Sequence, residues 1–279
     1  EISACLVGSE MCIRDRPETE RILEEIGYKK FQYQLDAVNQ ALNMINEHNG
    51  VIIADVVGLG KSVIASLIGK NMGVRGMIIC PPGLMGDPDE KTGWYGYIHD
   101  FQLYGWEVRS RGKLDKIVET IDRLNIDVIV VDEAHYFRNQ DTADYELLSA
   151  ICKDRKVVLL TATPFNNSPA DIYSLLNLFI VPGKSSLTLN DDLKQQFSAY
   201  NYEYKWISEI MKNHNSKDVQ KKSKAEKLYQ SLISAELPVN IGLVKKRSRE
   251  LADKMKNILR GVTTVSYTHL RAHETGRNL

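Results

Sequence analysis

The sequence predicts an α/β fold: a central parallel sheet flanked by helices, with a helical appendage on its C-terminal side. Three observations predict it. Val51-Ile52-Ile53, Val128-Ile129-Val130-Val131 and Val157-Val158-Leu159-Leu160 are short, unbroken apolar runs, as expected of strands buried on both faces. These runs alternate with segments of helical period, the pattern of stacked βαβ units. Each run also ends on a distinctive motif: Gly58-Leu59-Gly60-Lys61-Ser62, Asp132-Glu133-Ala134-His135 and Thr161-Ala162-Thr163-Pro164. Ligands of such sheets bind beyond the carboxyl ends of the strands, so the three motifs are expected to meet in one crevice.

Taken in order, Pro17 to His48 reads as two helices joined near Gly27-Tyr28. Ile22, Leu23 and Ile26 fall on the first, and Leu35, Val38, Leu42, Met44 and Ile45 on the second. A strand at Val51 to Ala54 leads through the glycine-rich turn into a helix over Lys61 to Met72. Met77 to Cys80 is the next strand, closed by Pro81-Pro82-Gly83. Gly86 to Gly96 reads as an exposed loop before an aromatic helix around Trp94 to Tyr104. A strand near Trp106 to Arg109, a helix over Leu114 to Leu124 and strands at Asp127 to Val131 and Lys156 to Leu160 complete the expected sheet. From Asp171 the chain reads as helical and more polar. Leu193 to Ile210 is followed by a lysine-rich stretch, Lys217 to Lys227, and by Leu228 to Leu237. The expected division is a lobe over 17–180 that carries the three motifs and a helical extension over 181–263.

The two ends are set aside. Cys5 to Arg16 and Val265 to Thr275 resemble translated sequencing-library adapter read on its two strands, and residues 1–4 and 276–279 can be encoded by reverse complements of one another. Segments 1–16 and 264–279 are therefore read as artefact, with no helix or strand of their own. Of four cysteines this leaves Cys80 and Cys152, too few for a disulfide framework and best read as small buried residues of a reducing compartment. Without an apolar run of 18 residues no membrane span is expected, and a cytoplasmic location is the expectation. With 36 basic and 36 acidic residues, any surface for a polyanion must be local.

The motifs carry recognisable chemistry. A glycine turn opening a helix presents backbone N–H groups and the positive end of the helix dipole to phosphate oxygens. Lys61 would then reach the β- and γ-phosphates of a nucleotide, and Ser62 would ligate Mg²⁺. Asp55 stands where the strict pattern has its first glycine. Asp132, at a strand end, is placed to hold the Mg²⁺ hydration shell opposite Ser62, and Glu133 is the candidate base that orients an attacking water. Read alone, Asp132 to His135 also fits a helix N-terminus with two favourable acids. Thr161, Thr163 and Pro164 read either as function or as capping of the next helix. His135 has no second His or Cys at ligand spacing, which argues against zinc.

In order and wording these motifs resemble the superfamily two helicases, and within them the Swi/Snf-like ATP-dependent DNA translocases, over nearly all of Pro17 to Thr263. Ala54 to Ser62 resembles that family's first motif, where an Asp also replaces the first glycine. The resemblance implies a RecA-like P-loop NTPase fold, with ATP and Mg²⁺ as cofactors and duplex DNA as partner. Phe31-Gln32-Tyr33-Gln34 is similar to the adenine-recognition segment, implying Gln34 as the base-reading side chain. Gly58, Leu59, Gly60, Lys61 and Ser62 would cradle the phosphates. Ile78 to Pro82 with Trp94 is similar to the motif whose loop contacts the DNA backbone. His135 and Thr161, Ala162 and Thr163 would couple nucleotide state to DNA contacts. Leu243-Val244-Lys245-Lys246-Arg247 resembles the basic segment between the two motor lobes, and reads equally as a solvated charge run. Wording around Asp55 to Gly58 and Phe137 to Asn139 is similar to bacterial members with an upstream phospholipase-D-like module; no nuclease activity is assigned to this chain.

Catalytic work is thus expected of Glu133, Asp132 and Lys61. The second RecA-like lobe, with its arginine fingers, is expected to begin where the readable sequence stops, so this chain alone should bind ATP weakly and turn it over slowly. A P-loop ATPase of a non-nucleic-acid class and a non-catalytic nucleotide-binding module remain as alternatives; Gln34 and Thr161 to Pro164 count against the first, and Lys61, Ser62, Asp132 and Glu133 against the second. Lys217 to Lys227 is either a DNA-facing patch or a solvated helix face, and its interrupting acids and Gln220 favour the latter.

Overall fold

The computed structural model describes residues 19–54, 60–162, 168–180 and 193–265. A helix over 19–25 (α1) precedes α2 (Gln32–His48), which is closed by Asn49 in the left-handed region at φ 71°. The chain then alternates as expected: β1 (Gly50–Ala54), α3 (Lys61–Met72), β2 (Gly76–Cys80), a single turn α4 (Pro82–Met85), α5 (Gly93–Asp100), β3 (Glu107–Ser110), α6 (Leu114–Val118), β4 (Val128–Val131), α7 (Ala143–Cys152), β5 (Lys156–Thr161) and α8 (Pro169–Leu176). Three long helices follow, α9 (Leu193–Asn213), α10 (Val219–Ile233) and α11 (Ile241–Leu259), and then a short strand, β6 (Thr263–Val265).

All strand pairs are parallel, in the order β3-β2-β4-β5-β1-β6. The apolar runs are sealed because helices cover both faces, and alternate residues of each strand face opposite layers. Ile52, Ile79, Ile129, Val131 and Leu159 pack toward α6, α7 and α8, together with Phe197 of α9 and Leu259 of α11. Val51, Ile53, Ile78, Val130 and Leu160 pack toward α1, α2, α3 and α5. Trp106 wedges between α3 and β2, where Cβ atoms at Gly69 or Gly76 would lie 2.6 and 2.5 Å from its ring. Its Nε1 donates to the Val74 carbonyl at 2.9 Å.

Two expectations are corrected. The sheet does not finish at β5: the chain returns after the long helices to add β6 beside β1, pairing Ile52 with Thr263 and Ala54 with Val265. This strand includes Thr264 and Val265, in the segment read as having no strand. Three residues are too few for a period, but β-branched Thr-Thr-Val suits an edge strand. The expected helix over Leu114 to Leu124 is broken, with α6 followed by a separate 3-10 turn at Ile121–Arg123. At the break, Thr120 turns its hydroxyl back onto the carbonyls of Lys116 and Ile117, as Ser and Thr do where helices fray. The C-terminal extension is helical, as expected, and its two ends pack into the lobe. Leu193 and Phe197 at its start and Met255 and Leu259 at its end join the sheet's own core, and only its middle forms a separate cluster, around Ile207, Ile210, Tyr229, Val244 and Leu251.

The neutral total conceals an uneven distribution. Between residues 193 and 259 lie fourteen Lys or Arg against seven Asp or Glu. Within the lysine-rich stretch, Lys221 pairs with Asp218, Lys222 with Glu226 and Lys224 with Glu209, the contacts of a solvated helix face. Arg247 of the basic segment lies on α11 and pairs with Glu203 and Glu250. No described helix is long and apolar enough to cross a membrane.

Candidate nucleotide site

The three strands that lead into the motifs are immediate neighbours, in the order β4-β5-β1. Ala54 at the end of β1 is in register with Thr161 at the end of β5, and Val131 of β4 with Leu159. Asp132 extends β4 by one hydrogen bond, from its N–H to the Ile79 carbonyl at 2.8 Å. Residues more than a hundred positions apart therefore share one edge of the sheet, the edge where α/β proteins bind ligands.

On the β1 side, Gly60 caps α3 with φ 85°, in the left-handed region that side chains disfavour, and Lys61 and Ser62 form the first turn of the helix. A Cβ at Gly60 would lie 2.4 Å from Nε2 of Gln34. Gln34, 4% exposed, thus has its amide pressed against the backbone that opens the helix. Asp55, Gly58 and Leu59 of the turn, and Thr163 and Pro164 of the third motif, lie outside the described residues.

On the β4 side, Asp132 is 7% exposed. Burial pushes its carboxyl above the usual carboxylate range; an N–H donor from Trp94, the Glu133 backbone N–H and the charge of Lys61 work against that rise without cancelling it. Lys61, at the start of α3, is thus near enough for its charge to act on the Asp132 carboxyl at the end of β4. Burial also pushes the thiol of Cys80, at the end of β2, up to about 12, with the Asp132 charge adding to the effect.

Glu133 adopts φ 52°, ψ 47°, a conformation that costs a non-glycine residue about 1–3 kcal/mol and that is held in place by its surroundings. Its Oε2 lies 3.0 Å from Nδ1 of His135, out of line for a hydrogen bond. The His135 ring lies 4.4 Å from that of Tyr136, over which Arg111 places its guanidinium at 3.6 Å. The tetrapeptide opens only the 3-10 turn Ala134–Phe137, so it is not the start of a regular helix. Thr161 is fully buried within β5 and Ala162 half-buried; the cap of α8 is Ser168, in a capping box with Asp171, so Thr161 does not cap that helix.

Two participants were not legible in the sequence. Trp94, grouped there with a DNA-contacting loop, is 2% exposed and donates to Asp132. Arg111 carried no motif at all, yet it covers the residue that follows His135. Neither contact has a local signal, because each joins segments separated by two or more elements.

The SNF2-related domain model matches residues 101–275, which take in β4, β5 and the long helices; Gln34 and Lys61 precede the matched stretch. The chain is 30% identical over 189 residues to an uncharacterized ATP-dependent helicase, YqhH, of Bacillus subtilis, covering 60% of this chain and 32% of that one. It is 29% identical to the probable ATP-dependent DNA helicase CHR12 of Arabidopsis thaliana, over 54% of this chain and 16% of the relative. The chain thus spans a third or less of these relatives. Among solved structures it is similar to the Sulfolobus solfataricus SWI2/SNF2 ATPase core in complex with dsDNA, at 14% identity and a TM-score of 0.46, over 81% of this chain and 64% of that chain.

Proposed function

The chain belongs to the SNF2-related domain family, and on that premise we propose that it is the ATP-binding first motor lobe of an ATP-dependent DNA translocase or helicase. In this reading it couples Mg-ATP hydrolysis to movement on duplex DNA when a second RecA-like lobe faces it. The observation that carries the reading is the sharing of one sheet edge by the ends of β4, β5 and β1, with Gln34 packed against Gly60 at the mouth of α3.

The roles follow from chemistry. Gln34 reads the adenine edge. Gly58, Leu59 and Gly60 offer backbone N–H groups to the phosphates, and Lys61 neutralises the β- and γ-phosphates. The donor set fits magnesium: a hydroxyl on Ser62 and a buried carboxylate on Asp132 that accepts N–H donors from Trp94 and Glu133 and feels the charge of Lys61. Magnesium, when bound, supplies charge neutralisation on the phosphate oxygens. Glu133 accepts a hydrogen bond from the attacking water and orients it. His135, Thr161, Ala162 and Thr163 relay the state of the site to the DNA-facing surface. The opposing lobe supplies arginine fingers, worth about 10³ to 10⁵ in rate in comparable systems, so the chain alone should bind ATP weakly and turn it over slowly.

The test is ATP turnover by a two-lobe protein carrying this chain, with and without duplex DNA. Lys61→Ala should abolish nucleotide binding, and Glu133→Gln should retain binding while losing DNA-stimulated turnover. Full stimulated turnover by Glu133→Gln would sink the assignment of the base.

A further inference from the structure

The carboxylate of Asp132 is held by a donor that none of the nucleotide motifs contains. Trp94, in the first turn of α5, donates its indole Nε1–H to Oδ2 of Asp132 at 2.9 Å, across 38 residues of sequence. The other oxygen, Oδ1, accepts the N–H of Glu133 at 2.8 Å. Torsion about the Cβ–Cγ bond of an aspartate is broad, so one donor leaves the carboxylate free to swing. Two donors on different oxygens fix its plane, and each oxygen keeps acceptor capacity for a further partner. The Glu133 donor moves with the chain segment that bears Asp132. Trp94 is anchored independently, in the core beside Tyr97, with ring centroids 5.5 Å apart.

We infer that Trp94 is a positioning residue for the magnesium site, fixing the plane of the Asp132 carboxylate by a hydrogen bond from outside the segment that bears it. The inference rests on the nucleotide-site reading above and deepens it. An indole N–H only donates, so its contribution depends on an acceptor at Asp132 and differs from that of packing alone.

Trp106 provides the control. It is a second buried tryptophan, its N–H bonded to the carbonyl of Val74 at 2.9 Å rather than to Asp132. Binding of a non-hydrolysable ATP analogue to the chain is measured across a Mg²⁺ series and in EDTA for the unmodified protein, Trp94→Phe, Trp106→Phe and Asp132→Ala. Trp94→Phe should raise the Mg²⁺ concentration needed for half-maximal enhancement by about tenfold, the scale of a lost hydrogen bond to a charged group, without changing binding in EDTA. Trp106→Phe should leave both unchanged. Unaltered Mg²⁺ dependence in Trp94→Phe, with dependence lost in Asp132→Ala, overturns the positioning role alone. A shift of equal size in both tryptophan variants overturns it too. Retained Mg²⁺ dependence in Asp132→Ala instead removes the magnesium assignment, and the inference with it. Should Trp94→Phe fail to fold, the unmodified chain suffices: Mg²⁺ with the analogue should shift the indole N–H resonance of Trp94 and not that of Trp106, and an unmoved Trp94 resonance overturns the inference.

Discussion

Replacing Gly60 by alanine tests the junction between the turn that opens α3 and Gln34, the side chain proposed to read the base. Gly60 sits at φ 85°, ψ 34°, where a Cβ costs about 1–2 kcal/mol from local sterics alone. The new methyl would also lie 2.4 Å from Gln34 Nε2, a contact no packed structure sustains, so the buried amide must move. The local strain alone should lower the midpoint of thermal unfolding by about 2–8 °C for a chain of this size. The strain and the collision separate in a double-mutant cycle. In a Gln34→Ala background only the backbone strain remains, so Gly60→Ala should cost less there, with a coupling of about 0.5–3 kcal/mol. Urea denaturation of the four proteins measures the cycle, and competition between ATP and GTP measures base preference. Gly60→Ala should erode the preference for ATP as Gln34→Ala does. An equal cost of Gly60→Ala in both backgrounds, or an unchanged base preference, would refute the argument.

Other outcomes follow from the same contacts. Gly76→Ala should cost about 1–3 kcal/mol by driving a methyl into the Trp106 ring, and less when Trp106 is first shortened to leucine, as chemical denaturation will show. His48 is 4% exposed, and burial holds its pKa below the ordinary 6.5 despite the neighbouring Glu47. The unfolded chain therefore takes up the proton first as pH falls below 6.5, and stability should fall from there down through the lowered folded pKa; His48→Gln should flatten that part of the pH–stability curve. The Cys80 and Cys152 thiols, each pushed up to about 12 chiefly by burial, should resist alkylation at pH 8 in the folded protein and react on unfolding, as peptide mapping by mass will show.

Local pattern was enough for much of the scaffold. The helix over Lys61 to Met72 is observed with those bounds, and the apolar runs became β1, β4 and β5 to within two residues at either end. Such features depend on neighbours in the chain: a glycine that can take positive φ, a run of β-branched residues, a polar residue ending it. The broken helix at Thr120 shows where that reasoning stops, since a hydroxyl competing for backbone carbonyls barely alters an apolar period.

By itself the sequence determined the parallel α/β class, the strand ends that carry the motifs and the residue types suited to phosphate, metal and water. Only the tertiary structure decided that β5 lies between β4 and β1, that β6 returns to the sheet edge, and that Gln34 meets Gly60. It alone decided that Trp94 holds Asp132. Residue type and spacing are local properties, whereas which side chains meet depends on crossovers between elements tens of residues apart. The motifs state the chemistry, and the packing of α2 and α5 against the sheet decides which atoms hold it in place.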